Sequence, residues 1–327
     1  MKPALSTLVA IAVLTGIGSN TAVAQPYPAK PIRFIVPFAP GGAADFTTRG
    51  LAQKLTESLG QQIVVDNRAG ASGVIGVQLV ANSARDGYTL LLGSSSNLAA
   101  LPSLTPNLPY DPIKDFAPVS LAVLVPNILV AHPSVAAQSI KELVASAKSK
   151  PGQLTYASPG IGTNSHIAGE LLNRMAGIRL LHVPYKGGGL AVNDLLGGHV
   201  QLMFGGISTS LPMVRAGKLR ALGVTSLKRV TAAPDVPTLS ESGLPGYEIV
   251  QWFGVLAPSG TPRTIIMKLH GEIAKAIASP DLRDRYSQQG LEPTSNAPAE
   301  FAAYMKVEIE KWSALVKAAT SGRGGIF

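Results

Sequence analysis

One pattern recurs along this chain and limits what it can fold into. A short apolar run leads to a loop of small residues, and the loop leads to a helical pattern. Ile32–Val36 is followed by Pro40–Asp45 and a helix from Phe46 to Leu59. Ile63–Asn67 is followed by Ala69–Gly73 and a helix to Ala81, and Tyr88–Leu92 by Gly93–Asn97. Leu154–Ala157 gives way to Ser158–His166 and a helix over Ile167–Met175. Leu180–Val183 gives way to Pro184–Gly189 and a helix to Leu196, and Val200–Phe204 to Gly205–Ser208 and a helix toward Ala216. Leu219–Val224 is a further strand. Strands and helices alternating at this spacing predict an α/β fold with largely parallel sheets. In open sheets of that kind the ligand lies beyond the carboxyl ends of the strands. The small-residue loops sit at those ends, so they are candidates to converge on one cleft.

The first of these loops carries the clearest chemistry. Pro40, Gly41 and Gly42 precede Ala43, Ala44 and Asp45 and then a helix. The first turn of a helix presents N–H groups without intrahelical partners, and the macrodipole adds partial positive charge. Glycine lets a ligand approach those amides, so the segment reads as a seat for an anion such as a carboxylate. It reads equally as a plain βα turn. Asp45 repels an anion, so it is expected either to cap its helix or to hold water, a ligand cation or a hydroxyl. Ser94, Ser95 and Asn97 follow a strand end and either contact ligand or cap the next turn. Gly160, Thr163, Asn164 and Ser165 offer donors on a later loop, or simple N-caps. His166 either donates to a carboxylate or is structural, and Gly205 and Ser208 complete the candidate set. Lys186 is read as a surface residue ahead of a cation that faces an acid; His132, His182 and His199 have no clustered partners and are read as structural or surface.

Residues 1–24 bear one charge, Lys2, then the apolar run Leu5–Ile17 and Ala22-Val23-Ala24. That is the form of a secretory leader cut before Gln25. The chain has no cysteine, hence no disulfide and no acylation site of a lipoprotein. The most apolar later stretch, Phe116–His132, is interrupted by Pro118 and Pro126 and does not read as a membrane span. Apolar residues at 46% against 14% charged residues argue for a large core. Net charge is +9, but the basic residues are scattered and aromatics are 6%, which speaks against a nucleic-acid surface.

Two extended runs, Phe116–Val130 and Gly246–Pro258, read as crossings between two lobes. The expected division is 25–122 with 251–320 as lobe 1 and 123–250 as lobe 2, with 321–327 a flexible tail. Helices are expected over Pro262–Ile277, Pro280–Gln289 and Pro298–Ala319. On the last of these, Phe301, Met305, Ile309, Trp312 and Val316 form one apolar stripe.

Enzyme signatures fail. Gly160–Ser165 lacks the last glycine of a dinucleotide fingerprint, and no Gly-Lys-Ser/Thr phosphate loop follows the early strands. Gly93–Asn97 lacks the glycine of a nucleophile elbow. His166 and Glu170 share a helix face but have no third partner for a metal, so neither metal nor cofactor is expected.

The pieces Val36–Gly42 with Asp45, Val65–Ala71, Asp86–Leu90, Tyr156–Gly160 with Ser165-His166, Val183–Gly187, Ala233–Thr238 and Trp252–Pro262 come in a familiar order. In that order they resemble the periplasmic solute-binding proteins of tripartite tricarboxylate transporters, the Bug family. The resemblance covers essentially the whole chain after the leader. It implies a periplasmic binding protein type II-like fold, two α/β lobes joined by two crossover segments with the ligand cleft between them. It implies capture of a small organic acid by main-chain amides, small hydroxyls and waters, and delivery to the membrane subunits of such a transporter. A periplasmic monomer is expected, with no catalysis. The alternatives are an exported α/β hydrolase acting on a small acid and a ligand-sensing module for a receptor.

Overall fold

Two beds of parallel strands are stitched together by two antiparallel strands that run between them. The computed structural model describes residues 27–105, 107–161, 163–185 and 187–321, with side chains to 315. The expected leader with its cut before Gln25, the position of Lys186 and the tail beyond Ser321 lie outside the described residues. In chain order the elements are β1 (Ile32–Val36), α1 (Ala43–Leu59), β2 (Ile63–Asn67), α2 (Val74–Ala81), β3 (Thr89–Ser94), α3 (Leu101–Leu104) and β4 (Phe116–Ala131). Then come α4 (Ile140–Ser149), β5 (Thr155–Ser158), α5 (Asn164–Ala176), β6 (Leu181–Pro184), α6 (Gly188–Leu196), β7 (Leu202–Gly206), α7 (Ile207–Arg215) and β8 (Arg220–Val224). The chain finishes with β9 (Val250–Pro258), α8 (Arg263–Ala278), α9 (Pro280–Gln288), β10 (Glu292–Pro293) and α10 (Pro298–Ser321).

In the first bed β1 lies between β2 and β3, parallel to both, with Phe34 opposite Val65 and Leu90. In the second, β5 lies parallel between β6 and β7. Strand β9 runs antiparallel to β3 and to β4, which pairs with it from Phe116 to Pro126. At Asn127 β4 changes partners: Asn127 faces Gly206 of β7 and Ile128 faces Val224 of β8, both antiparallel. Proline has no N–H to donate, so Pro126 is a natural place for a ladder to end. The expectation of largely parallel sheets therefore holds within each bed and fails at the crossings, which are antiparallel because the chain returns through them.

Several boundaries also differ from the sequence reading. Helix α1 starts at Ala43, not Phe46, and α5 at Asn164, not Ile167, because alanine and small polar residues fit a first turn as readily as the loop before it. Gly93 and Ser94 belong to β3, and Gly205 and Gly206 to β7, since their backbone groups are held by ladder bonds to β9 and β4. Helix α10 extends through Ser321.

Helices α1, α8 and α9 cover one face of the first bed around Phe34, Leu51, Leu269 and Tyr286; α6 and α7 cover the second around Leu195 and Met203. A third cluster reaches from Leu91 to Tyr156 and Phe204 and includes the α10 stripe residues Phe301, Met305 and Trp312, all buried. The Phe301 ring stands edge-on to Trp252 of β9 at 5.6 Å. Burying each such side chain stabilises by roughly 1.5–3 kcal/mol. Among the described residues no helix is long and apolar enough to cross a membrane.

Helix α10 lies so close to β9 that a Cβ on Gly254 would fall 2.2 Å from the Phe301 ring. Gly254→Ala is expected to lower stability by about 1–3 kcal/mol, as overpacking does, read from the urea midpoint. An unchanged midpoint would mean that the ring yields at no cost.

Candidate functional site

Four helices that leave the carboxyl ends of strands begin at a glycine with no side-chain cap. They are α1 at Gly42, α2 at Gly73, α6 at Gly187 and α7 at Gly206. Among the other helices, Ser139 caps α4 and Thr163 caps α5 through the side chain, while α8 starts at Pro262 and α9 at Ser279 with no side-chain cap. The glycine starts leave first-turn amides without side-chain acceptors, which is what an anion needs.

On the first bed, Pro40, Gly41, Gly42 and Ala43 are exposed, and a Cβ on Gly41 or Gly42 would meet nothing within 4 Å. Ala44 and Asp45 are buried. Asp45 lies inside the first turn of α1 rather than before it, and its Oδ2 accepts from the Gly41 N–H and from Arg49 Nε, each at 3.0 Å. Arg49 also donates to Asn67 Oδ1 at 3.3 Å, and Asn67 Nδ2 to the Phe38 carbonyl at 3.1 Å. Burial pushes the Asp45 carboxyl up, but Arg49, the Gly41 amide and Asn67 outweigh it and hold it below the usual carboxylate range. Asp45 thus braces the glycine loop, a capping role reached from within the helix.

Two neighbouring loops close on that one. Gly70, Ala71, Ser72 and Gly73 all have positive φ, a costly run for Ala71 and Ser72. A Cβ on Gly73 would lie 3.1 Å from the Pro37 carbonyl and 3.3 Å from Asn97 Nδ2. Asn97 Oδ1 accepts from the Ser94 N–H at 2.9 Å, which orients the amide; its Nδ2 and the Ser95 hydroxyl are buried without a protein partner. Gln251 of β9 reaches Ser96 Oγ at 3.5 Å from the crossing strand.

On the second bed Thr163 is the N-cap of α5. Its Oγ1 accepts from the His166 N–H at 3.4 Å and donates to the Gly160 carbonyl at 2.7 Å. Asn164 Nδ2 is buried without a protein partner. Ser165 Oγ donates to the Phe204 carbonyl at 2.5 Å, so its hydroxyl is engaged structurally. Gly187 donates its N–H to Pro159 at 3.1 Å, which brings the start of α6 beside Gly160. Ser208 is exposed in the first turn of α7, whereas Gly205 is buried in β7 with Ser210 Oγ where its Cβ would be.

His182 does have partners, contrary to the sequence reading. Its ring stacks on His166 at 4.2 Å, and its Nε2 lies 2.6 Å from Ser158 Oγ. Burial lowers both imidazoles, and His166 beside His182 lowers the latter further, to about 4. A serine bonded to an imidazole is half of a nucleophile apparatus. Here Ser158 is fully buried and its hydroxyl also meets the Gly160 carbonyl at 3.0 Å, so it serves the loop. Sequence reasoning left out Ser72-Gly73, Gly187–Gly189 and Gln251 as site residues. The first two carried the same signal as Pro40–Gly42, small residues after a strand; Gln251 carried none.

Residues 47–320 match the family model described as tripartite tricarboxylate transporter family receptor. The chain is 42% identical over 295 residues to the protein BugT of Bordetella pertussis, covering 90% of each. It is similar to an R. palustris protein solved with adipate, at 35% identity and a TM-score of 0.76 over 89% of this chain and 97% of that one. MatC from Rhodopseudomonas palustris, solved with bound malate, gives 34% and 0.71 over 89% and 100%.

The two glycines of the first loop should separate in mutation. Gly41 has φ +88° and Gly42 has φ −87°. Gly41→Ala is expected to cost about 1–2 kcal/mol in the ligand-free protein and Gly42→Ala no more than about 0.5 kcal/mol, both read by chemical denaturation. A second expectation follows from His182. Between pH 6.5 and about 4 the unfolded chain takes up a proton there and the folded chain does not, so stability falls as pH falls through that window. Melting curves of His182→Gln should show a shallower loss over the same range; an unaltered slope would contradict the assignment.

Proposed function

The chain belongs to the tripartite tricarboxylate transporter receptor family, and from that premise we propose how it holds its ligand. A small organic acid is bound in the cleft between the two beds, with one carboxylate at the start of α1 and a second acidic group at the start of α5. Gly41, Gly42 and Ala43 supply amides on the first side, with Ser95 and Asn97 beside them. Gly160, Thr163 and Asn164 face them from the other, joined by the glycine start of α6. Asp45, Ser165 and Gly205 act as supports rather than contacts, and His166 lines the α5 side as a neutral ring. The observation that carries this is the set of uncapped glycine helix starts drawn from both beds. On the second bed the glycine start of α6 lies beside α5, whose own start is capped by Thr163 at the His166 N–H and adds the buried Asn164 amide. Anions at such ends are favoured by free N–H groups and the helix dipole together.

The lobes are taken as 25–122 with 251–320 and 123–250; the change of sheet at Asn127 supports that division. The protein is exported through its leader and works in the periplasm as a monomer. There it binds without transforming its ligand and hands it to the membrane subunits of a tripartite transporter. Ligand that contacts both lobes stabilises the closed arrangement over the open one, which is what drives closure. The neighbours bound to adipate and malate favour a diacid with two ends to seat.

Calorimetry with adipate, malate and their diamides tests this. The acids should bind and the diamides should bind at least about tenfold more weakly, because each lost charge-assisted bond is worth about 1.5 kcal/mol or more. Equal affinities would remove the anion seat. Gly42→Val should weaken the acid with little effect on the ligand-free melting temperature, since the added side chain projects into open space before α1.

A further inference from the structure

The crossing point of the two beds is built around one buried threonine. Pairing of β4 with β9 ends at Pro126, opposite Val250, and pairing with β7 and β8 begins at Asn127 and Ile128. At the change the Asn127 N–H leaves the ladder, and the hydroxyl of Thr225 accepts it at 2.8 Å. Thr225 returns its own N–H to the Asn127 carbonyl at 2.9 Å. Its carbonyl then accepts from the N–H of Ile249 at 3.0 Å, one residue before β9 begins. Thr225, fully buried, therefore holds both crossing segments at once. A hydroxyl oxygen keeps a hydrogen bond over a wider range of directions than a fixed ladder partner does, because the O–H rotates about the Cβ–Oγ1 bond and the oxygen offers two lone pairs. That suits a joint where a few residues absorb the rotation of rigid bodies.

The same joint reaches the α5 side of the cleft. Asn127 Nδ2 donates to the Phe204 carbonyl at 3.1 Å, and Ser165 Oγ donates to that same carbonyl at 2.5 Å. Ser165 is in the first turn of α5, next to Asn164. One acceptor thus ties the crossing strand to the helix start. We propose that Thr225 is the pivot on which the lobes turn, and that Asn127 is a positioning residue that sets the α5 helix start through the Phe204 carbonyl. This rests on the two-lobed, carboxylate-binding reading above.

The chain has no cysteine, so spin labels can be placed on Gln53→Cys in α1 and Asn193→Cys in α6, both exposed, without background. Pulsed electron–electron distance measurements on the ligand-free protein report the spread of lobe positions; calorimetry with malate and adipate reports affinity. Thr225→Val, which keeps the shape and removes the hydroxyl, should broaden the ligand-free distribution, and Thr225→Ser should restore it. Asn127→Ala should leave the distribution narrow and weaken binding by about fivefold, the usual net effect of one neutral hydrogen bond. A folded Thr225→Val protein with the unaltered distribution would overturn the pivot. If that variant does not fold, Asn127→Ala decides: undiminished affinity would overturn the proposal. If neither acid binds the unsubstituted protein, the ligand reading fails, and the ligand-free distributions still judge the pivot.

Discussion

Strand β4 belongs to two sheets, and the rest of the molecule is arranged around that fact. Its first part is laddered to β9 and its last part to β7 and β8, with the change made across Pro126 and Asn127. Because β9 is the antiparallel neighbour of both β3 and β4, the first bed is fixed to the crossing through ladder bonds rather than through side chains alone. The loops after β1, β2 and β3, and those after β5, β6 and β7, leave the carboxyl ends of strands in two sheets that share one strand. A cleft between such ends is where open α/β sheets take their ligands.

Four of the helix starts around the cleft have no side-chain cap. Replacing an N-cap side chain by alanine typically costs about 1 kcal/mol, and glycine is a weaker cap than serine or asparagine by a few tenths. The chain uses Ser139 and a returning Glu142 carboxylate to finish α4, away from these loops. At α1, α2, α6 and α7 it uses glycine instead. Around those starts the backbone is held tightly: Asp45 braces Gly41, Asn67 holds Phe38, and Ser158 holds Gly160 from both sides. Braced loops with free amides are preorganised for an anion and give up little entropy when it arrives.

Much of this was legible in the sequence, because it is local. The strand–loop–helix rhythm, the glycine loops and the apolar stripe of α10 all follow from neighbours a few residues apart. What was not legible depends on distant partners. Nothing near Asn127 announces that Thr225, 98 residues on, takes its N–H. Nothing near His182 announces that it will stack on His166 and bond Ser158. Gly205 looked like a loop glycine and is a strand glycine packed on Ser210, since sheet pairing, not local composition, decided its conformation. The starts of α1 and α5 were placed too late for a simpler reason: alanine, aspartate, asparagine and serine fit a first turn as well as the loop before it.

The central claim is that helix starts from both beds grip one acid. Amide chemical shifts of nitrogen-15-labelled protein during a titration with adipate or malate test it most directly. The account predicts that the amides of Gly42 and Ala43 and those of Asn164 and Ser165 move together, with a single dissociation constant equal to the calorimetric one. Movement on one side only, or stationary amides at all four positions in a saturated sample, would contradict it.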